Sequence, residues 1–214
     1  MVEHSIVFSA EMVKAILAGR KTQTRRVIPN RYGICAECWA KADAEISMFI
    51  DSETSQSLPY LKPIYCEHND CTAGRIFCPY GQVGDRLWCQ ETFWEQSGDI
   101  YYKADWGNER PVNMILDKGK WRSPIFMPRW ASRITLEIIG VRVERLQEIT
   151  EEDAKAEGVE WGEALSIYDD TKEYERWEGY KAGFIVLWDS IYVKEGYCWD
   201  VNPWVWKIGF RKVK

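Results

Sequence analysis

The sequence predicts an α+β fold in which a curled mixed sheet, or a small β-barrel, carries peripheral helices. Two stretches alternate apolar with polar residues as half-buried strands do, one over 133–138 and one over 204–211. Between strand-like stretches lie segments with helical spacing, in the order strand, helix, several strands, two helices and a final strand. The 214 residues suit a single domain over 1–214 and show no internal repeat.

The first elements are a short strand over 5–8 and an amphipathic helix. Ser9 is a suitable cap for that helix, and Gly19 is a suitable stop. Its expected core face consists of Met12, Val13, Ile16 and Leu17. A turn at Gly84-Asp85 then leads into a strand that we expect to reach Phe93, with Asp85 shaping the turn through its own backbone.

Further strands and helices follow in the second half. Tyr101 and Tyr102 indicate a short strand, 107–128 is irregular, and 133–138 continues into an extended stretch over 141–146. Thr150 begins a short helix with a capping-box-like pattern, which Gly158 ends. A longer helix is predicted over 180–193. Its expected core residues are Phe184, Leu187, Trp188 and Ile191.

The stretch from Gly19 to Arg26 concentrates four cations and two hydroxyls in eight residues. The whole chain is acidic, with a net charge of −5, so this local excess of positive charge needs its own explanation. An anionic ligand is the simplest one. A solvated surface segment is the alternative.

Residues from about 28 to 80 form an expected insertion that is rich in cysteine. Cys35 and Cys38 make a C-x2-C pair, and Cys66 and Cys71 a wider second pair. Four thiolates can close a tetrahedral structural zinc site. His68 or Cys78 are alternative ligands, and unliganded thiols or a redox pair are alternative states. The remaining two cysteines, Cys89 and Cys198, are expected to be buried apolar residues.

Four motifs, in order along the chain, resemble ASCH domains. They are Ile16 to Arg26, Gly84 to Leu87, Ile149 to Gly158 and Trp204 to Phe210. The resemblance implies a PUA-like β-barrel. Two further segments, Cys78 to Gly81 and Asn202 to Trp204, resemble a phage or prophage-encoded branch of that family.

One branch of this family, the bacterial N4-acetylcytidine amidohydrolases, is similar at three positions: Lys21, Thr24 and Glu157. The resemblance implies Thr24 as nucleophile, Lys21 as its activator and Glu157 as proton donor, without a catalytic cofactor. Thr24 needs such a neighbour to accept its proton, and Lys21 can serve only if burial or other cations depress its pKa. Glu157 lies at a helix C-terminus, where the dipole favours a protonated carboxyl. An exposed helix carboxylate is the alternative for Glu157.

The expected nucleoside- or phosphate-binding residues are Arg20, Arg25, Arg26 and Arg86, which could also stabilise an oxyanion. A surface position is the alternative for Arg86. Only two histidines are present, which argues against a Ser-His-Asp hydrolase. No apolar run reaches a membrane span and no leader pattern is visible, so a cytoplasmic protein is expected.

Two function classes follow from these observations. The first is an amidohydrolase that acts on an acylated nucleoside. The second is a non-catalytic module that binds single-stranded RNA or a modified base by stacking on aromatic side chains. The acidic net charge argues against broad duplex binding, because that needs many Lys and Arg contacts to phosphates. The oligomeric state stays open.

Overall fold

The structure is a computed structural model that describes residues 1–29, 49–50, 57–58, 60–61, 76–166 and 175–213. Its strands are β1 (Glu3–Val7), β2 (Gln23–Val27), β3 (Phe49–Ile50), β4 (Ser57–Leu58), β5 (Tyr60–Leu61), β6 (Ile76–Phe77), β7 (Arg86–Gln90), β8 (Phe93–Gln96), β9 (Asp99–Tyr102), β10 (Thr135–Arg145), β11 (Gly162–Ser166), β12 (Glu175–Gly179) and β13 (Trp204–Lys212). Its α-helices are α1 (Ala10–Leu17), α2 (Lys103–Trp106), α3 (Val112–Leu116), α4 (Glu151–Ala156) and α5 (Tyr180–Tyr192).

Within the described residues, five strands form one mixed sheet in the order β1-β7-β10-β13-β2. The β1–β7 pair is parallel, and the other neighbours are antiparallel. The alternating stretch over 133–138 and its extended continuation over 141–146 form one strand, β10, whose register against β13 shifts between Ile138 and Gly140. The α+β class and the mixed sheet are therefore confirmed.

Alternation along β13 directs its side chains into two cores, one on each face of the sheet. Trp206, Ile208 and Phe210 belong to a large core that includes α1, whereas Val205 belongs to a second core beneath α4 and α5. Other members of the large core are Phe8, Val13, Ile16, Leu87, Leu136 and Ile138. Other members of the second core are Leu146, Ile149, Ala154, Phe184, Trp188 and Trp199. The helices α4 and α5 thus cover one face of the sheet.

The predicted caps of α1 and α4 are confirmed. The hydroxyl of Ser9 accepts a hydrogen bond from the Met12 backbone N–H, and that of Thr150 accepts one from Asp153 N–H. The expected apolar face of α1 is only partly correct, because Leu17 is exposed. The reason is that α1 is short and buries a narrow stripe through Val13, Ala15 and Ile16.

The segment after the Gly84-Asp85 turn differs from its predicted extent. Asp85 does shape the turn: its carboxylate accepts hydrogen bonds from the N–H groups of Val2 and Gln82. The strand ends at Gln90, and Phe93 begins the separate β8–β9 hairpin. The break contains Glu91, a buried carboxylate that bonds Arg133 through both oxygens.

The cysteines divide between described and undescribed parts of the chain. Cys35, Cys38, Cys66 and Cys71, and the alternative ligand His68, lie outside the described residues. Cys78 and Cys89 are free thiols whose pKa is raised by burial, that of Cys78 to about 12. In the described ranges no group of three or more His, Cys, Asp or Glu side chains is arranged to hold a metal ion.

In the same ranges, no helix has the length and apolar character needed to cross a membrane.

Candidate functional site

The basic segment is a buried edge strand of the sheet. Residues 23–27 form β2 and pair with β13, and Lys21 makes an isolated bridge to Glu157 just before it. Lys21, Gln23, Thr24 and Arg25 are all buried. These four residues are therefore not part of a solvated surface segment. The flanking Arg20 is exposed and Arg26 is half-buried.

Lys21 and Glu157 form a buried ion pair. The Lys21 ammonium donates to the Glu157 carboxylate Oε2 at 2.6 Å and to its backbone carbonyl at 2.9 Å. The two side chains are 0% and 3% exposed. Burial lowers the pKa of Lys21, against the opposing effect of the Glu157 charge, and nearby Arg26 and Arg25 lower it further. The structure thus brings together two of the three residues expected to be catalytic.

Arg25 engages the other oxygen of the same carboxylate. Its Nη1 donates to Glu157 Oε1 at 3.1 Å, its Nε to Glu144 at 2.7 Å and its Nη2 to Asp153 at 3.0 Å. Both Glu157 oxygens therefore accept hydrogen bonds from cations. Glu157 is buried rather than an exposed helix carboxylate, and Arg25 is occupied by carboxylates rather than free for a phosphate.

Asp153 extends these ion pairs, which we call the charged network, towards solvent. Its carboxylate accepts from Lys207 at 2.6 and 2.7 Å and from the Gln23 side-chain amide at 3.2 Å. Burial alone would raise the pKa of Asp153, but the hydrogen bonds from Lys207 and Gln23 and the charge of Arg25 outweigh it and hold that pKa below its usual range. Within the described residues the network thus balances three cations against three carboxylates: Lys21, Arg25 and Lys207 against Glu144, Asp153 and Glu157.

Thr24 lies on the opposite face of β2 from Arg25. It pairs with Ile208, a residue of the large core, whereas Arg25 pairs with Lys207 of the charged network. Successive residues of a strand point to opposite faces, so the register assigns Thr24 to the core side. Among the described residues, no hydrogen bond joins the Thr24 hydroxyl to Lys21 or Glu157.

The remaining expected binding residues are dispersed. Arg20 is exposed and donates to the Gly158 carbonyl at 3.1 Å. Arg26 lies over the Phe8 ring, donates to the Val7 carbonyl and borders a separate cleft of about 430 Å³. Arg86 begins β7, two strands away from β13. Of the four, Arg20 is the one that borders a cleft next to the end of α4.

Two adjoining clefts lie at this end of α4. The first, about 560 Å³, is bordered by Arg20, Lys155, Trp161 and Tyr180. Trp161 is 65% exposed and meets Tyr180 edge-on at 5.6 Å, while the Lys155 ammonium lies 5.5 Å from the Tyr180 ring. The second cleft, about 400 Å³, reaches Glu157 and Gly158. In a cleft that also holds two cations, an exposed indole can stack a planar ring while the cations bind an anionic group attached to that ring.

Sequence reasoning missed Glu144, Asp153 and Lys207 in the network and Trp161 in the cleft. Asp153 gives no sign of this role in the sequence, because a carboxylate in the first turn of α4 is already explained by the helix dipole. Lys207 carried no distinguishing signal, because it stands at a polar position of the alternating strand β13. Trp161 carried none that distinguishes it from the eleven other tryptophans.

No family model, no curated protein and no solved structure matches this chain, so the geometry of the site alone carries its assignment.

Proposed function

We propose that this chain is an ASCH-type, PUA-like protein that binds a nucleoside or a base of single-stranded RNA at the end of α4. The observation that carries the proposal is the first cleft, where the exposed Trp161 lies with Arg20 and Lys155. An indole face accepts any nucleobase by stacking, and the two cations suit the phosphate or ribose oxygens attached to it.

The charge distribution favours a single-stranded or monomeric ligand over a duplex. Arg25 and Lys207 carry positive charge but are neutralised by the carboxylates of the network. The cleft offers Arg20 and Lys155, which is too few cations for the many phosphate contacts that duplex affinity requires. A concave cleft with a stacking platform instead suits an unpaired base.

The test is binding of cytidine 5′-monophosphate and of a labelled single-stranded RNA by wild type, Trp161→Ala and Trp130→Ala. Trp130 is a matched control, because it is also 65% exposed but borders neither cleft. We expect Trp161→Ala to weaken binding about tenfold, the equivalent of about 1.4 kcal/mol, within the usual contribution of one stacked base. Trp130→Ala is expected to bind as wild type does. Equal losses in both variants, or no binding by wild type, would contradict the proposal.

Hydrolysis of an acylated nucleoside is the second candidate, and the buried Lys21–Glu157 pair favours it. Burial that lowers the pKa of Lys21 is what an amine needs in order to accept a proton from Thr24. In the proposed reaction the Lys21 ammonium first passes its proton to the Glu157 carboxylate across their 2.6 Å contact. The Thr24 oxygen then attacks the acyl carbon and gives its proton to Lys21, the C–N bond breaks, and the leaving amine takes the proton from Glu157. Water then releases the acid and regenerates Thr24. Thr24 must first approach Lys21 from the core face of β2.

Acetate release from N4-acetylcytidine tests this second candidate. The informative variant is Thr24→Val, which removes the hydroxyl but leaves the Lys21–Glu157 pair in place. Loss of activity in Thr24→Val, Lys21→Ala and Glu157→Ala would support the reaction. Activity that persists in Thr24→Val, or its absence from wild type, would reject Thr24 as nucleophile.

We also propose a structural zinc site formed by Cys35, Cys38, Cys66 and Cys71. The proposal is supported by their pairwise spacing in the sequence alone. Elemental analysis of the purified protein should find stoichiometric zinc, and Cys35→Ser should reduce it. Protein free of zinc after purification without chelators would reject the site.

A further inference from the structure

We propose that the site takes two consecutive nucleotides, one in each of the adjoining clefts, with the linking phosphate at Arg20. This inference rests on the proposed function and deepens it. Arg20, Val159 and Glu160 border both clefts, so the two clefts adjoin along these residues, and together we call them the groove. The groove runs from Tyr180 at the start of α5 to Val186 and Leu187 in the same helix.

The second cleft has the apolar walls that a base requires. Met12 of α1 faces Val186 and Leu187 of α5 across it, and Val186 is 53% exposed although it is a large apolar residue. At the floor of this cleft α5 packs directly on the backbone of Glu160. Gly183 makes this possible, because a Cβ there would lie 2.3 Å from the Glu160 carbonyl oxygen. A planar ring can therefore lie against aliphatic side chains here.

Arg20 lies where the first and second clefts adjoin. One of its guanidinium nitrogens donates to the Gly158 carbonyl, and it makes no ion pair with any other described residue. A guanidinium presents five N–H donors, so most of its capacity stays available for phosphate oxygens. The order along the groove is thus stacking platform, cation and apolar wall, which matches base, phosphate and base.

The charges of the second cleft select the kind of base. Glu11 borders the second cleft and Glu160 borders both clefts; both are exposed carboxylates, and neither is engaged by another described residue. A carboxylate accepts a hydrogen bond from the exocyclic amino group of cytosine. Uracil has a carbonyl oxygen at the same ring position, which a carboxylate repels. The second position should therefore prefer cytosine over uracil.

The experiment compares the affinities of cytidine 5′-monophosphate, the dinucleotide CpC and the dinucleotide UpU for wild type, Val186→Ala and Val193→Ala. Val193 is the matched control, because it is also 53% exposed but borders neither cleft. We expect CpC to bind wild type about tenfold more tightly than the mononucleotide, since the second base adds its own contact. Val186→Ala should reduce that gain and leave unchanged the binding of a mononucleotide in the first cleft, which Val186 does not border, whereas Val193→Ala should change neither.

Each alternative outcome is distinct. Mononucleotide binding with no gain for CpC overturns the two-nucleotide site and leaves the proposed function standing. A gain that is as large in Val186→Ala as in wild type also overturns it. UpU binding as tight as that of CpC overturns the role of the two carboxylates. No binding of any of the three ligands contradicts the proposed function itself.

Discussion

At the scale of single residues, Gly158 sets how closely the end of α4 approaches Lys21. Its φ of +79° lies in the left-handed region, which ends the helix in the way a glycine permits. A Cβ at this position would lie 2.7 Å from the Lys21 Cβ and 2.8 Å from the Ala15 Cβ. The close contact between Lys21 and Glu157 therefore depends on the absence of a side chain at Gly158.

Gly158→Ala is expected to destabilise the protein more than Gly196→Ala. Gly196 has nearly the same φ, +81°, but open space around its Cα, so its substitution carries backbone strain alone, about 1–2 kcal/mol. Gly158→Ala adds a collision with Lys21 and Ala15, which should cost a further 1–3 kcal/mol or so. Urea unfolding of both variants measures the free-energy difference. Equal losses would mean that the chain relaxes around residue 158 without disturbing Lys21.

At the scale of elements, α4 is a short helix whose carboxylates serve two purposes. Asp153 and Glu157 belong to the charged network on β2. Glu151 instead caps α5: its carboxylate accepts from the N–H groups of Tyr180 and Lys181, at 2.9 and 3.3 Å. The N-cap of α5 is Gly179, which has no side chain for this purpose. One helix thus secures the start of its neighbour.

Glu151→Ala is expected to cost about 1 kcal/mol of unfolding free energy, the usual effect of removing a helix cap. Glu152→Ala is the control, because Glu152 lies in the same first turn of α4 and so shares the effect on its dipole. Thermal or urea unfolding compares the two. If both variants lose the same amount, the contribution of Glu151 comes from α4 itself and not from capping α5.

At the scale of the whole molecule, the charged network joins the sheet to its helical layer. Arg25 comes from β2, Lys207 from β13, Glu144 from β10 and Asp153 from α4. These groups are far apart along the chain, and they meet because β2, β13 and β10 are neighbours in the sheet. Removing one charge from such a network leaves its partners unpaired.

The free energy of unfolding should fall at acidic pH, because the charged network stabilises the ionised form of Asp153. The folded pKa of Asp153 lies below its ordinary value of about 4, so the folded state releases this proton more readily than the unfolded state. The stabilisation is then present above about pH 4 and is lost as pH falls through the folded pKa.

Wild type should therefore be more stable than Asp153→Asn at pH 7, with a difference that shrinks below about pH 4. Urea unfolding of both proteins at a series of pH values measures the difference. A difference that stays constant from pH 7 to pH 2 would contradict the role given to the Asp153 charge.

Much of the local structure was predictable from the sequence. The caps at Ser9 and Thr150 and the stops at Gly19 and Gly158 depend on residues within one helical turn of each other. The alternation of β13 was visible for the same reason. The register shift between Ile138 and Gly140 in β10 was not, because a bulge depends on the pairing with a partner strand.

The sequence by itself determined the helix ends, the strand alternation and the α+β class, because each follows from neighbouring residues and their preferred backbone geometry. Only the tertiary structure decided that Lys21 meets Glu157 across 136 residues, that Arg25 shares that carboxylate, and that Thr24 faces the other way. Strand pairing and helix packing bring distant residues together, and no local pattern records which face or partner each one receives.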